Sequence, residues 1–362
     1  MDTTAGGPPG TTTAPRAGGR QRARGGVRRE RGTFTDAAGI VVLSCASVWA
    51  LVAAAGRPAR PEGTLLAVLA VTAGYALGRI LGSLLPALAP GVAAGAVLAL
   101  VLGPPGRLAG RPDAPPLGYP NADAALLVLA VGAACCAAWA VRGTALRAAL
   151  LAVGAGAAVA ALALGSAAGF AAGVAIVLCS LAAARMRHRL PALVCLALAA
   201  AVAVGVSWSV AVGALPAGLS ASLTGQLTQP RVNLWHQAVT LAGHHPLRGV
   251  GPDRFADEAA PAADLTPAAP SPQSAPLQLA AEQGIPGVAL LAVSFGWLLT
   301  ALWRSPRPTP VVLTAAATLT GLAMLATVDH VLSYAAVTAG AGFLAGVATA
   351  RPFAAEALPP AD

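Results

Sequence analysis

Lysine is absent from the 362 residues, and all 23 basic side chains are arginine. Charge of either sign is scarce. Only 10% of the chain is charged while 56% is hydrophobic, against about 25% charged in a soluble globular domain. So few charges cannot cover that much apolar surface, which excludes a soluble fold. The same hydrophobicity excludes disorder over most of the length. Cysteine is limited to five residues, Cys45, Cys135, Cys136, Cys179 and Cys195, without C-x-x-C spacing. A disulfide scaffold is excluded, and all five fall in apolar runs, where they read as packing residues. No Walker A element and no glycine fingerprint opening a helix after a strand is present, so no nucleotide site is visible. The 41 Gly and 30 Pro, together with arginine in place of lysine, read as the codon bias of a GC-rich genome.

What is present is long apolar runs. About 20 apolar residues make one membrane span, and the runs fall at 38–56, 64–82, 84–103, 122–141, 190–212, 285–303, 311–328 and 331–350. The stretch 145–184 is too long for one span and breaks best at Gly165-Ser166. The expectation is an all-α polytopic membrane protein with about ten transmembrane helices. One long extracytoplasmic loop separates spans 7 and 8. The divisions are a disordered Arg-rich tail at 1–36, seven spans over 37–212, the loop at 213–284, three spans over 285–350 and a tail at 351–362.

Arginine placement sets the orientation. With the N-terminus inside, the tail arginines, Arg79, Arg142, Arg147, Arg185, Arg187, Arg189, Arg304, Arg307 and Arg351 fall inside. Only Arg57, Arg60, Arg107, Arg111, Arg231, Arg248 and Arg254 fall outside. This positive-inside bias predicts the cytoplasmic membrane with both termini cytoplasmic. The net charge of +9 thus reads as a topology signal, with weak attraction to anionic membrane lipid and no nucleic acid partner. Few ionisable residues lie inside spans, which argues against a transporter with a buried charge relay.

The chemistry concentrates in the loop. RVNLWHQAVTLAGHHPLRGVGPDRF at 231–255 opens as a short helix with Arg231 and Trp235 on one face. Such a helix suits the membrane surface, with Trp235 in the headgroup zone. Gly243 ends it, and His245-Pro246 starts a turn. QSAPLQLAAEQGIPG at 273–287 is a second helix, with Ser274 as its N-cap and Gly284 as its stop. Asn121 and Asp123 read as caps of the fourth span.

These residues resemble the O-antigen ligase/O-antigen polymerase superfamily. The pattern is Arg231, Trp235, His245-Pro246-Leu247-Arg248-Gly249-Val250-Gly251, and Leu277 to Gly287 with Glu282. Tyr119-Pro120-Asn121-Ala122-Asp123-Ala124-Ala125 matches upstream. The resemblance covers most of the chain as topology and about 45 residues as motif. It implies transfer of a glycan from a polyprenyl-diphosphate carrier to a sugar hydroxyl of a glycan or glycolipid acceptor. Neither a metal nor a nucleotide cofactor takes part in such a reaction. The family's diphosphate-binding arginine falls on Arg231. Arg248 and Arg254 are further candidates for the donor, and Trp235, Glu282, Asn121 and His330 for substrate contact.

One departure matters. Where the family carries a histidine base, nine residues before the Glu, this chain has Gln273. An amide cannot act as a base at neutral pH. Three readings stay open. Arg231 and substrate charge suffice; another histidine, His244, His245 or His330, takes over; or the chain is a degenerate member that binds lipid-linked glycan without turnover. A membrane transporter is a further alternative, which predicts paired buried ions and symmetry between halves.

Overall fold

The computed structural model of the chain describes residues 18–103, 117–214, 229–259 and 271–351, all helix, turn or coil. Seven helices run through the first half and up to the loop: α1 (Gly18–Ala54), α2 (Glu62–Leu84), α3 (Leu88–Val101), α4 (Pro120–Ala140), α5 (Thr144–Ala163), α6 (Ala167–Ala183) and α7 (Leu190–Ala211). The loop carries α8 (Gln229–His244) and the single turn α9 (Phe255–Glu258). Then come α10 (Ala275–Trp303), α11 (Thr309–Val328), a 3-10 turn at Val331–Ser333, and α12 (Ala335–Thr349). Among the described residues, seven helices are long and apolar enough to cross a membrane, and α3, α6 and α12 are shorter apolar helices. The protein is an all-α polytopic membrane protein.

Local chemistry explains most boundaries. The long run at 145–184 is two helices, because Ser166 caps α6 by accepting the Gly169 N–H at 3.1 Å. Pro86, which lacks an N–H, separates α2 from α3. One boundary differs from that read in the sequence. Helix α1 begins at Gly18, inside the Arg-rich stretch, and its span-like part is Phe34–Ala54; once nucleated, a helix extends into flanking residues at little cost. Residues 1–17 and 352–362 lie outside the described residues. The helix expected after Ser274 begins at Ala275 and breaks at Gly284 as read, and it runs on through the kink into the span expected from 285 as one element, α10.

Helices α4 and α11 form the centre. In their most apolar windows, 94% and 72% of residues are buried, against 17–28% in the other five long helices. Those outer helices leave Leu, Val and Ile side chains on the surface, as lipid-facing helices do. Helix α2 meets α12 backbone to backbone. A Cβ at Gly74 or Gly78 would land on the Ala339 or Phe343 carbonyl, and one at Gly342 or Gly346 on the Val71 or Tyr75 carbonyl. Both helices present glycine every fourth residue, the pattern that lets membrane helices approach closely.

The alternating direction of the helices gathers one set of ends on the side of α8. The C-termini of α1, α7 and α11 and the N-termini of α2, α4, α10 and α12 all lie there. The contacts Tyr119–Asp329, Arg60–Pro252 and Trp49–Gln283 bear this out.

Candidate active site

The site grows from a break in α10. Gly284 has φ 71 and ψ −168, and Pro286 follows inside the same helix. Proline has no N–H, so the Glu282 carbonyl four residues back loses its helical partner. The Ile285 N–H turns outward to the Pro246 carbonyl at 2.8 Å, which frees Ala281 as well. The freed carbonyls are then used. Ala281 accepts the Val250 N–H at 2.8 Å and Glu282 the Gly251 N–H at 2.9 Å. Gln283 accepts the Trp49 indole N–H at 3.0 Å. The His-Pro-Leu-Arg-Gly-Val-Gly segment is thus docked onto the kink by backbone bonds. Contact is too close for side chains: Gly249, at φ 59, would place a Cβ on the Glu282 backbone, and Gly284 would place one on Pro246 and Leu247.

Glu282 is buried and serves this docking. Gln278 Nε2 donates to its carboxylate at 3.1 Å, and the backbone amides of Asp253 and Phe255 face it. Arg248 donates to the Val52 and Ala55 carbonyls, the latter at 2.7 Å, where a cation suits a helix C-terminus. Arg254 pairs with Glu258 at 2.6 Å and Asp257 at 3.4 Å. His245 shapes the turn through its backbone, accepting the Gly249 N–H at 2.9 Å, while its side chain is exposed.

Trp235 is not in a headgroup position. It is 1% exposed, in a small core with Leu234, Ala238, Phe255, Leu277, Ala281 and Ala211. A buried indole needs an acceptor for its N–H, and the Pro272 carbonyl supplies one at 2.7 Å. That bond pins the chain just before α10 across the face of α8. The next residue, Gln273, thereby reaches Arg231, one helical turn from Trp235. Arg231 Nε and Nη2 both donate to Gln273 Oε1, at 3.0 and 2.6 Å. Gln273 sits at φ 49, a left-handed conformation costing a non-glycine residue about 1–2 kcal/mol. Strain of this kind concentrates at functional positions. Ser274 holds the N-cap backbone position, but its buried hydroxyl makes no capping bond. Among the described residues no carboxylate pairs with Arg231, in contrast to Arg254.

A second cluster stands beside this pair. The start of α4 and the end of α11 meet through Asp329, which accepts the Tyr119 hydroxyl at 3.0 Å, Asn121 Nδ2 at 2.5 Å and the His330 N–H at 2.7 Å. Asn121 therefore ties α4 to α11, and neither it nor Asp123 caps α4 through its side chain. The His330 ring lies 4.8 Å from Tyr119 and 5.7 Å from Tyr334, and the two tyrosine rings are parallel at 5.9 Å. Burial and the charge of Asp329 push the Tyr119 phenol up to about 12, with the Arg231 charge acting in the opposite sense. Burial alone would raise Asp329, but hydrogen bonds from His330 and Tyr119 outweigh it and hold the carboxyl below the ordinary range. Burial, then Asp329 and Asp123, raise Tyr334. The cluster is thus an anion held by one phenol, one amide and a backbone N–H. Tyr119 stands in the upstream match and Asp329 beside the candidate His330, but neither has a role read from sequence, and Tyr334 has no place among the sequence candidates. The Asp-His pair ending an apolar run was the signal, but its partners lie some 200 positions away.

Fold and site define a class: a polytopic helical membrane protein with a cationic, amide-bridged centre at one end of its bundle. Residues 149–292 match the family model described as O-antigen ligase, a segment that holds Arg231, Trp235, Gln273 and Glu282. That segment, less than half of the chain, is similar to the O-antigen ligase family, which supports the O-antigen ligase/polymerase superfamily and an O-antigen ligase-like function in general terms. No curated protein matches the chain.

Proposed function

We propose that the protein is a glycosyltransferase of the ligase/polymerase type. It moves a glycan from a polyprenyl-diphosphate carrier to a sugar hydroxyl of a glycan or glycolipid acceptor, at the outer face of the cytoplasmic membrane. The observation that carries this reading is the Arg231 fork, held by one neutral amide oxygen at 3.0 and 2.6 Å. A planar guanidinium matches phosphate oxygens in two-point contact. Only the donor is charged in the bond to Gln273, whereas both partners are charged in an Arg–diphosphate pair and each guanidinium nitrogen gains its own oxygen, so an arriving diphosphate displaces the Gln273 oxygen. In the reaction the acceptor oxygen bonds to the anomeric carbon. The bond from that carbon to the diphosphate oxygen breaks, and its electron pair leaves on the diphosphate, where Arg231 offsets the charge.

The test uses protein in liposomes with a labelled polyprenyl-diphosphate oligosaccharide and candidate acceptors. Carrier diphosphate release is followed for the native chain beside Arg231→Ala and Arg231→Lys. Release by the native chain, abolished by Ala and weakened by Lys, is the expected result. Release untouched by Arg231→Ala refutes the assignment. Gln273 favours one second reading, a degenerate member: it predicts that native protein retains the lipid-linked glycan and releases nothing.

A further inference from the structure

Transfer leaves one step without an agent, the proton of the attacking hydroxyl. Gln273 occupies the position where the family pattern has histidine, and an amide cannot accept that proton. The chain has five histidines. His188 lies between α6 and α7, at the far end of the bundle. His236 Nδ1 faces the Ala211 carbonyl at 3.1 Å. His244 and His245 are exposed, and among the described residues their side chains make no hydrogen bond. His330 differs from all four. Its Nδ1 lies 3.1 Å from Asp329 Oδ1, and its ring is held among Tyr119 and Tyr334.

We propose that His330 is the catalytic base of this chain, replacing the histidine missing at 273, with Asp329, Tyr119 and Asn121 as positioning residues. The proposal rests on the transferase reading above. The Asp329 carboxylate lies on the Nδ1 side of the ring, an arrangement that orients an imidazole through its charge and leaves Nε2 for substrate, although Nδ1 makes no hydrogen bond in this conformation. Asp329 is itself fixed from three directions, so the ring is aimed by the fold. Val328, directly before Asp329, packs on the core of Trp235, one turn from Arg231. The Arg231 charge acts on the Tyr119 hydroxyl, which places both clusters in one field. In the step, the acceptor proton passes to His330 Nε2 as its oxygen bonds the anomeric carbon. The electron pair of the broken bond leaves on the diphosphate, and the imidazolium then returns its proton to water.

The experiment compares native protein, His330→Gln, Gln273→His and the double variant His330→Gln/Gln273→His in the liposome assay. Donor binding is measured separately on each. General base catalysis is worth about 10²–10⁴-fold, so His330→Gln is expected to lower kcat at least ~100-fold with donor binding retained. Histidine tolerates left-handed backbone better than most residues, so Gln273→His is accommodated and restores at least ~10-fold of the lost rate in the double variant. Asn121→Ala, which loosens Asp329, lowers kcat more than it raises KM. His330→Gln turnover within about threefold of native overturns the proposal, being far below the loss of a general base. So does joint loss of donor binding and transfer that Gln273→His does not rescue, which makes His330 a packing residue. A silent native chain that gains activity with Gln273→His overturns the role of His330 and keeps the transferase class. Silence of both removes the transferase reading and this proposal with it.

Discussion

Substitution of Gly249 by alanine tests the docking that builds the site. Gly249 is at φ 59, and an added Cβ would lie on the Glu282 backbone, which no rotamer change can move aside. Left-handed backbone costs a non-glycine residue about 1–2 kcal/mol. The overlap also pushes the turn off the kink, which breaks Val250–Ala281, Gly251–Glu282 and Ile285–Pro246. Each of these bonds contributes about 1 kcal/mol net. The expected loss is about 4–5 kcal/mol, concentrated in the loop and at the α10 kink. Gly243→Ala is the matched control. Gly243 is helical and open, with nothing within 4 Å of an added Cβ, so alanine there is neutral or stabilises by up to about 1 kcal/mol. The assay is thermal unfolding in detergent with hydrogen exchange at the amides of Val250, Gly251 and Ile285. Faster exchange at these amides and a lower Tm only in Gly249→Ala are expected. Equal melting of the two variants, with these amides still protected, would show that the loop is not held by the kink.

Three further outcomes follow from the same geometry. Trp235→Phe keeps most of the buried ring but leaves the Pro272 carbonyl without its donor; a loss of about 1–3 kcal/mol is expected, with faster proteolysis near Gln273 as the readout. Arg248→Ala removes a cation from the C-terminus of α1 and lowers stability by about 0.3–1 kcal/mol, read as a small Tm shift that shrinks in high salt. Asp329, whose carboxyl is held below its unfolded value, contributes stability that is present above the ordinary carboxylate range and lost as pH falls through the lower folded value. Asp329→Asn is therefore expected to flatten the acid side of a stability–pH curve, and an unchanged slope would contradict the hydrogen bonding around it.

Much of the fold was legible because a bilayer imposes a simple rule: apolar runs of one length become helices. The break at Gly165-Ser166 was readable for a local reason, a glycine followed by a capping serine. So was the helix carrying Arg231 and Trp235. Gly284 was readable as a helix breaker with a span opening directly beyond it, though not that the two segments join as one kinked helix. Trp235 was misread as interfacial, because sequence gives its helix face and not the partner that face meets. Asn121 was misread as a cap, since its acceptor is Asp329, far along the chain.

By itself, then, the sequence determined what depends on neighbours a few residues apart: the all-α membrane class, the helix positions and the resemblance carried by the loop motifs. The tertiary structure alone decided which of those residues meet. It seated the glycine-rich turn on carbonyls released by Gly284 and Pro286. It used the Trp235–Pro272 bond to bring Gln273 onto Arg231, and it joined α4 to α11 through Asp329. The reason is physical. Helix and cap preferences act through bonds spanning three or four residues, whereas a buried polar group takes whatever partner the packing brings to it.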